Sequence, residues 1–96
     1  MSAYIIVMRE EPLQDPESYA QYQTLTRQIN VDIKLIPRVI YGKIEALEGE
    51  APDGMVMMEF ETFEQAHQWY HSGEYQNVLP YRLRSARHRA FIVEGL

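Results

Sequence analysis

A chain of 96 residues with 46% hydrophobic content is too short to divide into two cores, so a single domain over residues 1–96 is expected. Its net charge of -5 speaks against nonspecific nucleic-acid binding, and with no cysteine the fold cannot rest on a disulfide. A domain of this size buries only about 60 to 65% of its unfolded surface, which gives weight to a partner subunit as a source of further burial.

Tyr4 to Met8 is a short apolar run in which both alternating faces, Tyr4/Ile6/Met8 and Ile5/Val7, are hydrophobic. No positive residue precedes it, and Arg9, Glu10 and Glu11 follow at once, so it reads as a strand covered on both sides rather than as a signal peptide. The apolar runs fall far short of the ~20 residues that span a bilayer. The protein is therefore expected to be soluble and cytoplasmic, with no membrane partner. Asp15-Pro16 then sets a cap and a first-turn proline in their favoured order, with Glu17 suited to the positive end of a helix. That helix runs to about Gln28, with Tyr22, Leu25 and Ile29 turned inward, Tyr19 alongside, and Gln21, Gln23, Thr24, Arg27 and Gln28 on the wet face.

Val31 to Pro37 reads as a connection leading into a strand, because Pro37 would interrupt a central strand. Val39 to Glu48 alternates more clearly and is predicted as the second strand. Gly49-Glu-Ala-Pro-Asp-Gly54 is dense in turn residues, so Met55 to Phe60 should return antiparallel, with Val56, Met58 and Phe60 facing the core.

Thr62 to Arg82 reads as two short helices in series. Thr62 and Gln65 have the form of a capping box, and Ser72 offers a second start. Phe63, Ala66 and Tyr70 fall on one stripe with Trp69 beside it. Pro80 is expected to kink or end the second helix. The last strand is Arg89 to Val93, with Phe91 and Val93 on one face and Ala90 and Ile92 on the other. The basic group Arg82, Arg84, Arg87, His88 and Arg89 is expected to pair with the acidic residues around Glu45 to Glu64.

The order strand, helix, strand, strand, helix, strand is the split βαβ arrangement, an α+β ferredoxin-like domain whose helices cover one side of a four-stranded antiparallel sheet. The doubly apolar first and last strands require a cover on the other side as well, since an exposed apolar patch the size of a sheet exceeds what soluble monomers carry. A face-to-face homodimer follows.

Tyr19-x-x-Tyr22, Leu47-Glu48-Gly49, Glu59-Phe60, Phe63-x-x-Ala66-x-x-Trp69-Tyr70-x-Ser72-x-x-Tyr75, Leu79-Pro-x-Arg82, Ala86 and Val93-Glu94-Gly95 together resemble the uncharacterised bacterial domain-of-unknown-function family 1330, almost end to end. That family looks like a member of the dimeric α/β-barrel superfamily, whose relatives include cofactor-free monooxygenases, haem-degrading enzymes and muconolactone isomerase. The resemblance implies the same pairing into a dimeric α/β barrel. It implies no reaction. Where a glycine-rich turn is expected ahead of the second strand, the chain has Lys34-Leu-Ile-Pro-Arg-Val39, which leaves the start of that strand open.

Glu64, His67 and His71 stand at i, i+3 and i+7, but a helix break at Ser72-Gly73 and the want of a further ligand favour a solvated face, so no metal is expected. Trp69 and His71 do not match the spacing of the haem-degrading relatives, and no cofactor is expected. The topology could instead bring Tyr22, Tyr41, His67, Tyr70 and Arg82 towards the gap between sheet and helices, where small-molecule sites form. Arg82 would anchor a carboxylate or enolate, and His67 could serve as general base. The leading expectation is a homodimer binding a small, partly apolar or anionic metabolite in that cleft. The alternatives are a cofactor-independent monooxygenase or isomerase acting on an aromatic or lactone substrate, and a structural or regulatory dimer with a filled core.

Overall fold

A computed structural model describes all residues 1–96. Seven elements follow in order: β1 (Ala3–Arg9), α1 (Pro16–Thr26), β2 (Leu35–Ile40), β3 (Gly54–Phe60), α2 (Phe63–Tyr70), α3 (Gly73–Ser85) and β4 (His88–Glu94). The strands form one antiparallel sheet in the order β2-β3-β1-β4, which is the ferredoxin-like topology expected from the element order.

Register assigns the faces. Ile5 lies opposite Met58 and Ile92, and Val7 opposite Val56 and Ala90, so these residues share the helix-covered side. Ala3, Ile5, Val7 and Phe60 are buried there against Ala66 and Trp69 of α2 and Tyr75, Val78 and Leu79 of α3. Ile6 lies opposite Met57 and Phe91, and with Tyr4, Met8, Met55 and Val93 it forms the side that no helix covers. Phe91 and Val93 stand exposed on it.

The second strand differs from expectation. It covers Leu35–Ile40 and ends where Val39 to Glu48 was predicted to begin in earnest. Pro37 does not interrupt it, because β2 is the sheet edge and pairs only with β3, so the donor that proline lacks is not required on the free side. A register shift between Pro37 and Val39 absorbs one residue as a bulge. The strand then stops at Tyr41, whose φ of 53° is left-handed and turns the chain out of the sheet.

Two further expectations are corrected. Pro80 does not end helix α3, which runs on to Ser85. The proline is exposed, as is Gln76 one turn before it, so the carbonyl left without a partner faces water rather than the core. The basic group near the C-terminus does not reach Glu45 to Glu64. Arg87 and Arg89 pair with Glu11 and Glu10, which follow β1, while the Arg84 guanidinium rests on the Tyr81 ring.

Candidate functional site

Between α1 and the β2-β3-β1 part of the sheet lies a cleft of about 520 Å³. Val7, Val56 and Met58 form its floor, and Ile29, Val31 and Ile33 from the segment after α1 close one end. Twelve of its seventeen lining residues are hydrophobic and none is Asp, Glu or His, so its polar side-chain groups come from tyrosines, Trp69, Thr26, Gln23 and two arginines.

Helix α1 supplies one wall. It starts because Asp15 accepts from the backbone of Ser18 at 3.1 Å and from its hydroxyl at 2.7 Å, satisfying the first turn, and Pro16 fits the position after the cap. These bonds hold the Asp15 carboxyl below its ordinary pKa. From that start, Tyr19, Tyr22 and Thr26 recur on the face that looks into the cleft.

The opposite wall depends on the joint between α2 and α3. The Ser72 hydroxyl donates to the Trp69 carbonyl at 2.7 Å and accepts from the Tyr75 backbone at 3.2 Å, ending one helix and capping the next. This fixes Trp69 against Tyr75, their ring centroids 4.5 Å apart. Two turns on, Arg82 continues the buried stripe of Tyr75, Val78 and Leu79 and reaches the cleft. The helix end is then tied down: the Ser85 carbonyl accepts from Gln14 and Asp15, just ahead of α1.

Arg82 is 3% exposed, and its Nε has no acceptor. The four ion pairs of the protein, Arg9 with Asp53, Arg38 with Glu59, Arg87 with Glu11 and Arg89 with Glu10, leave it without a carboxylate. Burial opposes its charge, but the facing Tyr75 hydroxyl, with Tyr22 and Tyr70 further off, offsets this and keeps the guanidinium above its ordinary pKa. Phenols thus supply all the compensation of this buried cation, with no carboxylate among its partners.

The tyrosines come in two bonded pairs. Tyr22 and Tyr75 share a hydrogen bond of 2.8 Å between their hydroxyls, and Tyr19 and Tyr41 share another. Tyr41 is placed by its left-handed backbone, by Gly54 beneath its ring and by Arg9, whose guanidinium lies 5.0 Å from the Tyr41 ring centre and 5.4 Å from that of Tyr19. Burial raises the pKa of Tyr41 despite Arg9 and Arg82 nearby, and burial together with Tyr22 raises that of Tyr75. Both phenols therefore stay protonated at neutral pH, and in each pair either hydroxyl can donate.

Of the residues singled out from sequence, Tyr22, Tyr41 and Arg82 line the cleft. Tyr70 and His67 do not join them. Tyr70 borders a separate shallow groove with His71 and Phe91, beside β4. His67 is exposed on α2, its ring 4.2 Å from that of His71, because the buried side of α2 centres on Ala66 and Trp69 and not on Phe63, which is 42% exposed. Nowhere do three His, Asp or Glu side chains converge to hold a metal ion. Sequence reasoning missed Thr26 as a lining residue and placed Gln23 and Arg27 on the wet face, although all three border the cleft. It also left Arg9 out, since nothing local marks the last residue of a strand as the support of a distant ring.

No helix is long and apolar enough to cross a membrane. Among solved structures, the fold is similar to that of an ethyl tert-butyl ether d (EthD) family protein from Bacillus halodurans C-125, at 18% identity and a TM-score of 0.66 over 100% of both chains. It is also similar to a dimeric protein of unknown function and ferredoxin-like fold from Bacteroides fragilis NCTC 9343, at 15% identity and a TM-score of 0.57 over 98% of this chain and 96% of that one. A protein of unknown function from Rhodopseudomonas palustris shares 12% identity with a TM-score of 0.58, over 99% of this chain and 82% of that one. None of the curated proteins matches the chain. The family model DUF1330, domain of unknown function, matches residues 2–96, and the chain belongs to that family.

Proposed function

We propose that residues 1–96 act as one domain that pairs into a cytoplasmic homodimer and binds a small, partly apolar carboxylate in the cleft between α1 and the sheet. The observation that carries the reading is Arg82: buried, charged, unpaired with any acid, and set in an apolar cleft that contains no carboxylate of its own. A guanidinium there recognises a carboxylate through parallel donors, while the apolar floor takes the hydrophobic body. The dimer is supported by the uncovered apolar sheet face, and a neighbour of similar fold is described as dimeric. An open cleft favours ligand binding over a structural dimer with a filled core. The monooxygenase or isomerase reading is left with a tyrosine alone to move a proton, since His67 stands outside the cleft and the lining holds no imidazole or carboxylate.

The test is titration with benzoate and phenylacetate, read by calorimetry and thermal shift. The wild-type protein should bind both, and Arg82→Met should bind neither while remaining folded. Equal binding by the two proteins removes Arg82 from the site and the reading with it.

A further inference from the structure

The polar chemistry of the cleft is lopsided. In each tyrosine pair one hydroxyl hydrogen is shared between the two oxygens, which leaves one O–H per pair without an acceptor inside the pair. Both pairs belong to the cleft lining, one through Tyr22 and the other through Tyr19 and Tyr41. Arg82 adds only donors, and its Nε is already without an acceptor. Raised phenol pKa values at Tyr41 and Tyr75 keep the hydroxyls in their donor form. Against these donors the lining offers no carboxylate and no imidazole. Donors confined in an apolar cleft are matched by a ligand rich in acceptors.

The donors also fall in two places. Arg82 shares the buried stripe of α3 with Tyr75, whose hydroxyl is bonded to that of Tyr22. The second pair joins α1 through Tyr19, three residues before Tyr22, with the Tyr19 and Tyr22 rings 5.9 Å apart. Its position is enforced at some cost: Tyr41 holds a left-handed backbone, its ring occupies the space a side chain at 54 would need, and Arg9 stacks over both rings while bonded to Asp53 at 2.8 Å. A hydroxyl held this firmly beside a cleft is a fixed point of recognition.

We infer that the cleft selects a carboxylate carrying a second hydrogen-bond acceptor, a carbonyl or a further carboxylate, about one ring-width from the first, with the carboxylate on Arg82 and the second acceptor on the Tyr19–Tyr41 pair. This rests on the reading of Arg82 as the anchor. The apolar floor of Val56 and Met58 carries the spacer between the two polar groups. An aromatic ring fits that role, with Tyr19, Tyr22 and Trp69 on the walls.

The experiment compares benzoate with 4-acetylbenzoate, and phenylacetate with 4-acetylphenylacetate, by isothermal titration. In the wild-type protein at least one acetyl compound should bind about tenfold more tightly than its parent, the expected gain from one well-placed hydrogen bond. Because either phenol of the pair can supply the donor once the other is gone, the deciding variant is the double substitution Tyr19→Phe with Tyr41→Phe. It should still bind benzoate and phenylacetate in an Arg82-dependent way, which also reports that the cleft is intact, and it should lose the acetyl advantage. If the parent acids bind in an Arg82-dependent way but the acetyl group adds nothing, or its advantage survives the double substitution, the second subsite is overturned and the anchor stands. Should the double variant bind the parent acids more weakly, the ratio of acetyl-compound to parent affinity decides: a ratio near one supports the subsite, and the wild-type ratio overturns it. If no acid binds, or binding ignores Arg82→Met, the anchor itself is overturned and the subsite goes with it.

Discussion

The ring of Tyr41 lies so close over Gly54 that a Cβ at position 54 would meet Tyr41 Cδ1 at 2.7 Å and Cε1 at 2.8 Å. This contact joins the end of β2 to the start of β3, and through the Tyr41 hydroxyl to α1. The glycine is needed for close approach, not for its backbone angle, since position 54 is not among those with positive φ.

Gly54→Ala should therefore displace Tyr41 and destabilise the protein by about 1–3 kcal/mol, the usual cost of overpacking. Urea unfolding checks the size of the effect. Tyr41→Gly in the same background should return much of the loss, because the clash and the left-handed strain of a Cβ are removed together. Additive effects of the two substitutions would show that the rings and not the glycine set the local geometry.

Arg82→Met should raise stability by about 1 kcal/mol while abolishing carboxylate binding. Methionine fills a similar length without a charge or an unmet donor, and Tyr75 keeps its bond to Tyr22. The comparison is made by chemical denaturation without added acid. A marked loss of stability would mean that the guanidinium is already well satisfied by Tyr75 and its neighbours, which weakens the case for an anion.

Where local spacing and burial agree, these features were legible in the sequence. Arg82 falls on the stripe of Tyr75, Val78 and Leu79, so its burial could have been read from the period of α3 alone. His67 failed for want of phase: Phe63, Ala66 and Tyr70 define one stripe and Ala66 with Trp69 another, and only packing on Phe60 and Ile5 selects the second. The second strand was illegible for a different reason. Alternation from Val39 to Glu48 is a local signal, whereas β2 is decided by its partner β3 and by a turn at Tyr41 that no residue type announces. The cleft itself is a tertiary object, built by tyrosine pairs that join residues 22 and 53 positions apart.

Ile6 occupies the middle of the uncovered sheet face, between Met57 on β3 and Phe91 on β4. Ile6→Asp should leave the helix-covered core intact and abolish self-association, because a carboxylate at the centre of an apolar interface is left desolvated and unpaired. Sedimentation velocity at low micromolar concentration should give a dimer for the wild type and a monomer for the variant. A wild-type protein that sediments as a monomer would refute the dimer directly.

His88 opens β4 on the helix-covered side, opposite Arg9, and its Nε2 is buried without a partner. Burial lowers its pKa most and Arg82 from α3 lowers it further; the Ala86 carbonyl opposes them with a smaller effect, and Arg9 from β1 and Glu11 add lesser effects of opposite sign. The folded protein thus holds this imidazole neutral below the ordinary value of 6.5, whereas the unfolded chain protonates near it. Between those two values the unfolded state binds more protons, so stability is full above about pH 6.5 and declines as the pH falls towards the folded value. Asp15 works in the same direction only at lower pH, since its carboxyl is held below an ordinary value of 3.8. The interval from pH 7.5 to 5 therefore isolates the histidine from that carboxyl. Urea midpoints measured across it should fall for the wild type and should flatten for His88→Gln, which keeps a polar side chain but cannot take up the proton. A slope that persists in the variant would assign the dependence to another group and leave His88 without a part in it.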